Sequence, residues 1–199
     1  MNKILIMILM IVSISYGQDI KNLEYVSPFH DGLAAIKKGN HWAFINTKGE
    51  MKVPFRKDLV ATKHEDGTYP VFNDNRCPIK VKKNGIYYYG YINKVGRIII
   101  PPKYLNASDY FKGKAIVLLL HKDKTNKKNL MGKDIISYSY ANVIIDLDGN
   151  TQQHLTGYTK TSLLPQYFKN PPEINSKFLN NYLCLVKENN KITIKKIED

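Results

Sequence analysis

Apolar and polar residues alternate over short distances along most of the chain, and the stretch GLAAIKKGNHWAFINTKGEMKVPF, residues 32–55, shows the pattern most fully. Residues 33–38 and 42–46 are β-forming runs parted by Gly39-Asn40, which supply the positive φ of a tight hairpin. Asn46-Thr47-Lys48-Gly49 then reads as a turn in which Asn bonds back to the backbone and Gly takes the left-handed region. Met51 and Val53 resume the alternation until Pro54 ends it, so the stretch predicts a three-stranded meander. Its strands are apolar on both faces of the pleat, with Leu33/Ala35 opposite Ala34/Ile36 and Trp42/Phe44 opposite Ala43/Ile45. A lone unit would leave one face bare, and the pattern therefore demands neighbours.

Those neighbours emerge when the turn glycine is aligned. Asn93-Lys94-Val95-Gly96 and Asp146-Leu147-Asp148-Gly149 repeat the turn, each after an aromatic or branched pair, Tyr91-Ile92 and Ile144-Ile145. Leu183-Cys184-Leu185-Val186-Lys187 restates Leu33-Ala34-Ala35-Ile36-Lys37, and Asn189-Asn190 offers the next hairpin turn. The uneven turn spacing fits a repeat with insertions in its loops. Units are expected at about 25–58, 70–107 and 108–155, the last with an insert at 121–137, followed by a degenerate copy at 178–199.

Phe29-His30-Asp31-Gly32-Leu33-Ala34-Ala35-Ile36-Lys37 with His41-Trp42-Ala43-Phe44-Ile45-Asn46 resembles a copy of the repeat of bacterial WG-repeat (KWG-repeat) proteins, with Ala43 in place of the signature Gly. Tyr89-Gly90-Tyr91-Ile92-Asn93, running on to Ile100-Pro101-Pro102-Lys103-Tyr104, is the better match; the third and fourth copies show Asn142-Val143 and Ile192-Thr193 instead of aromatic-Gly. The resemblance implies structural or interaction modules with no shared catalytic residues. Sequence pattern and resemblance together predict an all-β fold, an array of antiparallel β-meander or hairpin repeats in a curved sheet or solenoid-like stack, within a single domain at 18–199.

Composition changes this picture mainly at the N-terminus. Lys3, the apolar run 4–14 and Ser15-Tyr16-Gly17 read as a signal-peptide helix over 1–17, too short at about 1.5 Å per residue for a roughly 30 Å bilayer core. The expectation is an exported protein, periplasmic, on the cell surface or secreted, with no transmembrane span after cleavage near Gly17. Net charge is +13, carried almost wholly by lysine, since Arg56, Arg76 and Arg97 are the only arginines. Arginine-poor basicity and export argue against nucleic acid and leave solvated strand faces, or attachment to an anionic surface that salt would weaken. Cys77 and Cys184 fall at equivalent positions of nonadjacent units and are expected as free, buried thiols.

Candidate chemistry is sparse. His64-Glu65-Asp66 has acid–base composition but no second ligand cluster at defined spacing, which favours a loop. Asp146 to Asn150 lacks the closing Glu of a calcium loop and is explained as a repeat turn. Residues 151–176 read as a connector with one short helix or strand near 163–168. Neither a nucleophile elbow, a His-Glu-x-x-His, a phosphate-binding glycine loop nor a Cys-x-x-Cys is present, so no enzyme, cofactor or metal is expected. Partner contact is assigned to Tyr87 and Tyr88, a possible stacking platform in the Tyr-rich strand, and to Lys122, Lys124, Lys127 and Lys128 in the insert, a hairpin arm or mobile loop. The expected function is a non-catalytic binding or scaffold module for protein interaction. Alternatives are a lysine-driven binder of anionic envelope polymer or polysaccharide, and a cell-envelope hydrolase whose carboxylates converge only in space.

Overall fold

The structure, a computed structural model, describes residues 20–128, 131, 132, 134–168 and 170–198, with backbone only at 125–127 and 167. The expected signal segment, residues 1–17, lies outside the described residues. The fold is all-β, built from antiparallel sheets, with one short 3-10 turn at Pro165–Tyr167.

The first sheet runs β1 (Tyr25–His30), β2 (Leu33–Lys38), β3 (His41–Asn46) and β4 (Met51–Arg56) in sequential order. A hairpin of β5 (Thr62–His64) and β6 (Gly67–Tyr69) precedes the second sheet, β7 (Cys77–Lys83), β8 (Ile86–Ile92) and β9 (Ile98–Tyr104). The third comprises β10 (Ala115–Lys128), β11 (Asp134–Ile145) and β12 (Thr151–His154), with β13 (Thr159–Thr161) also on β11. The fourth is β14 (Ser176–Phe178), β15 (Leu183–Glu188) and β16 (Lys191–Lys196).

The three aligned turns have one geometry. Asn46, Asn93 and Asp146 each accept through Oδ1 from backbone N–H groups two and four residues on, at 2.9–3.2 Å. Their carbonyls accept from Gly49, Gly96 and Gly149, which stand at φ 77°, 78° and 82°. Asp and Asn substitute for each other here because the turn itself needs only the acceptor Oδ1; the second atom differs in use, Asn46 Nδ2 donating to Glu50 and Asp146 Oδ2 accepting from Asn150 and Gln152.

The meander gains a strand that the sequence pattern did not predict. β1 pairs with β2 across a register shift between Val26 and Phe29, where Pro28 lacks a donor and the Ser27 hydroxyl accepts from Ala35 N at 2.8 Å. Ser108 repeats the device, accepting from Ile116 N at 3.0 Å. Each unit thus opens with a short extended segment before its hairpin.

Gly90 explains the signature glycine. Tyr89 pairs with Tyr104 but Tyr91 with Ile100, so β9 carries two extra residues across from Gly90. A Cβ there would stand 2.3 Å from the Ile100 carbonyl oxygen and 2.7 Å from Pro102 N, both backbone. With Ala43 at this position the first sheet bulges by one residue, between Trp42–Arg56 and Phe44–Val53. With Val143 there the third sheet runs without a bulge through Val143–His154 and Ile144–Gln153. The side chain sets the register.

Successive sheets share apolar cores. Leu33, Ala35, Phe44 and Val53 meet Phe72, Cys77, Ile79 and Ile92. Tyr89, Tyr91, Ile100 and Tyr104 meet Ala107, Tyr110, Ala115, Val117 and Val143. Ile116, Ile144 and Leu155 meet Cys184, Val186 and Ile197. Full burial of such side chains contributes about 1.5–3 kcal/mol each. Polar contacts fix the spacing: Arg56 donates to Gly96 O at 2.9 Å, and Tyr104, at the end of the equivalent strand, donates to Gly149 O at 3.0 Å. Along another side Asp31 accepts from Asn75 N at 3.0 Å and Asp74 from Gly113 N at 2.8 Å, so each hairpin turn holds the next. Both cysteines are buried and free. Burial pushes the Cys77 thiol well up and the Cys184 thiol to about 11, which keeps both protonated and inert.

Candidate functional site

A cleft of about 700 Å³ opens where the β5–β6 hairpin lies against β1, and is lined by Pro28, His30, Lys63, His64, Glu65, Asp66 and Tyr69. Thr62–Tyr69, Lys63–Thr68 and His64–Gly67 pair across the hairpin, which sets the His64 ring on that of Tyr69 with centroids 4.4 Å apart. His64 Nε2 lies 3.0 Å from Thr62 Oγ1 and 3.2 Å from Tyr69 O. The Tyr69 hydroxyl donates to Asp66 Oδ1 at 2.7 Å, which leaves its oxygen to accept from His30 Nε2 at 3.2 Å. His30 and His64 stack at 6.0 Å. The hydroxyl of Tyr69, a residue 1% exposed, is pushed up to about 12 by burial and then by Asp66.

Asp109 stands near this cluster from the segment before β10. Its carboxyl is raised by burial, against the lowering influence of Thr62, His64 and His30. Its Oδ1 is buried without a hydrogen-bond partner among the described residues. The arrangement is a hydrogen-bonded chain, His30–Tyr69–Asp66, beside a second imidazole and a buried carboxyl: groups able to hold a polar ligand or relay a proton. Among the described residues no set of three His, Cys, Asp or Glu side chains has the placement to hold a metal ion.

Residues 21–42 and 89–119 match the family model of the WG containing repeat. The chain carries WG-type repeats. The first match covers β1, β2 and the start of β3 through Trp42; the second runs from Tyr89-Gly90 through the Pro-Pro strand into β10. No curated protein and no solved structure matches the chain. The bulge opposite Gly90 shows why a WG-type repeat carries glycine beside its aromatic residue: the Pro-bearing strand crosses where a Cβ would stand.

Just before the second matched segment, Tyr87 and Tyr88 lie on opposite faces of β8, both half-buried. Tyr87 packs against the core of the second and third sheets, with Lys80 and Lys82 Nζ 5.3 and 5.5 Å from its ring centroid. Tyr88 packs beside Ile86, Leu105, Leu118 and Phe168, and burial raises its hydroxyl. Tyr89 and Tyr91 are core residues, 5% and 0% exposed. The insert is a two-stranded arm, with Lys122 paired to Tyr138, Lys124 to Ile136 and Lys128 to Asp134. Lys122, Lys124 and Lys128 are exposed, and the Lys127 side chain lies outside the described residues. The fold brings neither tyrosine to these lysines in any described contact. The His30–His64–Tyr69–Asp109 cluster escaped sequence reasoning, because His64-Glu65-Asp66 gains His30 and Asp109 as neighbours only through the fold, which brings them from distant parts of the chain.

Proposed function

We propose that the chain is an exported, non-catalytic repeat module that binds a protein partner in the periplasm, at the cell surface or outside the cell. The observation that carries this reading is the use of the repeats' own polar groups. Asn46, Asn93 and Asp146 close turns, Asp31 and Asp74 hold the next turn, and Arg56 and Tyr104 hold the next sheet. These polar side chains serve assembly of the sheets, and the outer surfaces are left for recognition. The chain beginning at Gln18 is to be exposed to envelope and secreted fractions and washed at low, then high salt. A discrete protein retained at high salt supports the module; no retained protein contradicts it.

The exposed lysines of the arm, with Lys160 exposed on the adjoining β13, favour a second reading, an electrostatic binder of anionic polymer. Retention of polymer that high salt abolishes would support that reading. The paired imidazoles keep hydrolysis as a testable outcome: turnover of a cell-wall glycan by the chain, lost in His64→Ala, would replace the non-catalytic account.

A further inference from the structure

One cross-strand pair recurs in all four sheets: Ala35–Phe44, Pro78–Tyr91, Ile116–Ile144 and Leu185–Ile194. In the first three it is buried; Phe44 is 1% exposed, Tyr91 0% and Ile144 0%, and each faces the next sheet. In the fourth, Ile194 is 59% exposed and Leu185 half-buried. Cys184 and Val186 turn inward to the third sheet, so alternation puts Leu183, Leu185 and Lys187 on the outward face, with Ile192, Ile194 and Lys196 across from them. Ile192 is 67% exposed. This face repeats, position for position, the face that takes a neighbouring sheet inside the chain.

Its rim identifies the neighbour. Lys177 pairs with Leu185, Lys187 with Ile192 and Lys196 with Leu183, so three lysines frame the apolar centre. Among the described residues of these strands no carboxylate shares the face: Glu188 turns the other way and accepts from Gly157 N at 2.8 Å. Two copies set face to face would oppose lysine to lysine.

We propose that the outward face of the β14–β15–β16 sheet is the docking surface for a partner protein that presents a β-sheet face with an apolar centre and a carboxylate rim. The inference deepens the interaction-module reading and rests on it. Apolar contact supplies affinity, and the lysine rim supplies partner choice and salt dependence.

A partner of this chemistry can be made from the protein itself, as the full chain carrying Lys177→Glu, Lys187→Glu and Lys196→Glu. Sedimentation of wild type, of this variant and of their mixture is the test. The expected result is monomer for each alone and a heterodimer in the mixture, weakened by salt and weakened at least about thirtyfold by Ile194→Asp in the wild-type chain. Ile192→Asp serves as a second variant should circular dichroism show that Ile194→Asp disturbs the fold. A mixture that stays monomeric, a heterodimer indifferent to both substitutions, or a wild-type homodimer each overturns the proposal. A natural partner captured equally by wild type and Ile194→Asp would also overturn it while leaving the interaction-module reading intact.

Discussion

The joint between the second and third sheets and the outward face of the fourth are the same surface in two conditions. At the joint, Tyr91 is fully buried, its hydroxyl donates to Ser108 O at 2.8 Å, and Tyr110 packs edge-on to it at 4.8 Å. On the fourth sheet the matching Ile194 meets solvent, and lysines occupy the positions around it. The difference teaches that position in the repeat fixes which face seeks a neighbour, while residue choice fixes which neighbour is accepted. Joints inside the chain take either an aromatic residue with a backbone-directed hydroxyl, Tyr91, or an aliphatic pair, Ile116–Ile144; the fourth face sets its aliphatic centre in a lysine rim, which suits a partner that arrives by diffusion.

The comparison breaks most sharply with matched truncations. Phe44→Ala is expected to cost about 3–5 kcal/mol and Ile194→Ala within about 0.5 kcal/mol, read from denaturant midpoints; equal losses would show that the fourth face is not open. Gly90→Val, which drives a side chain into backbone, is expected to cost about 3 kcal/mol or more. The same denaturant titration checks it, with Ala43→Val as the milder companion at a one-residue bulge.

Alkaline unfolding sharpens the account of the joint. Tyr104 is pushed up to about 12 by burial and then by Asp146, above the ordinary tyrosine value near 10. A raised folded value means the neutral phenol is favoured in the native state. Its stabilisation is therefore complete below about pH 10 and lost as pH rises from 10 to 12. Unfolding free energy measured over that interval should fall, and Tyr104→Phe should flatten part of the fall while costing about 1 kcal/mol at neutral pH for the lost bond to Gly149 O. Asp74→Ala, which removes the acceptor for Gly113 N, is expected to have a small effect, about 0.5–1 kcal/mol in the same titration.

What could be read from the residues alone was what local chemistry decides. The Asn46, Asn93 and Asp146 turns and the Gly39-Asn40 hairpin follow from residue types whose backbone preferences act within four positions, and the two-sided apolar strands announced stacking. β1 was missed because its pairing depends on a serine hydroxyl standing in for a ladder bond at a proline, which no periodicity reveals. Gly90 could be aligned but not explained until the two extra residues of β9 were seen to cross it. The cleft was least legible: His64 carried a visible signal, yet its meaning depends on Tyr69 bending back to it and on His30 and Asp109 arriving from other units.

The most direct measurement is maleimide labelling of Ile194→Cys in the native full chain, beside Phe44→Cys and with Cys77 and Cys184 buried as internal controls. The account predicts that Ile194→Cys reacts at the rate of an exposed thiol while Phe44→Cys is protected, and that adding the chain with glutamates at 177, 187 and 196 slows only the former. Protection of Ile194→Cys in the isolated chain, or labelling unchanged by the acidic-rimmed chain, would contradict it.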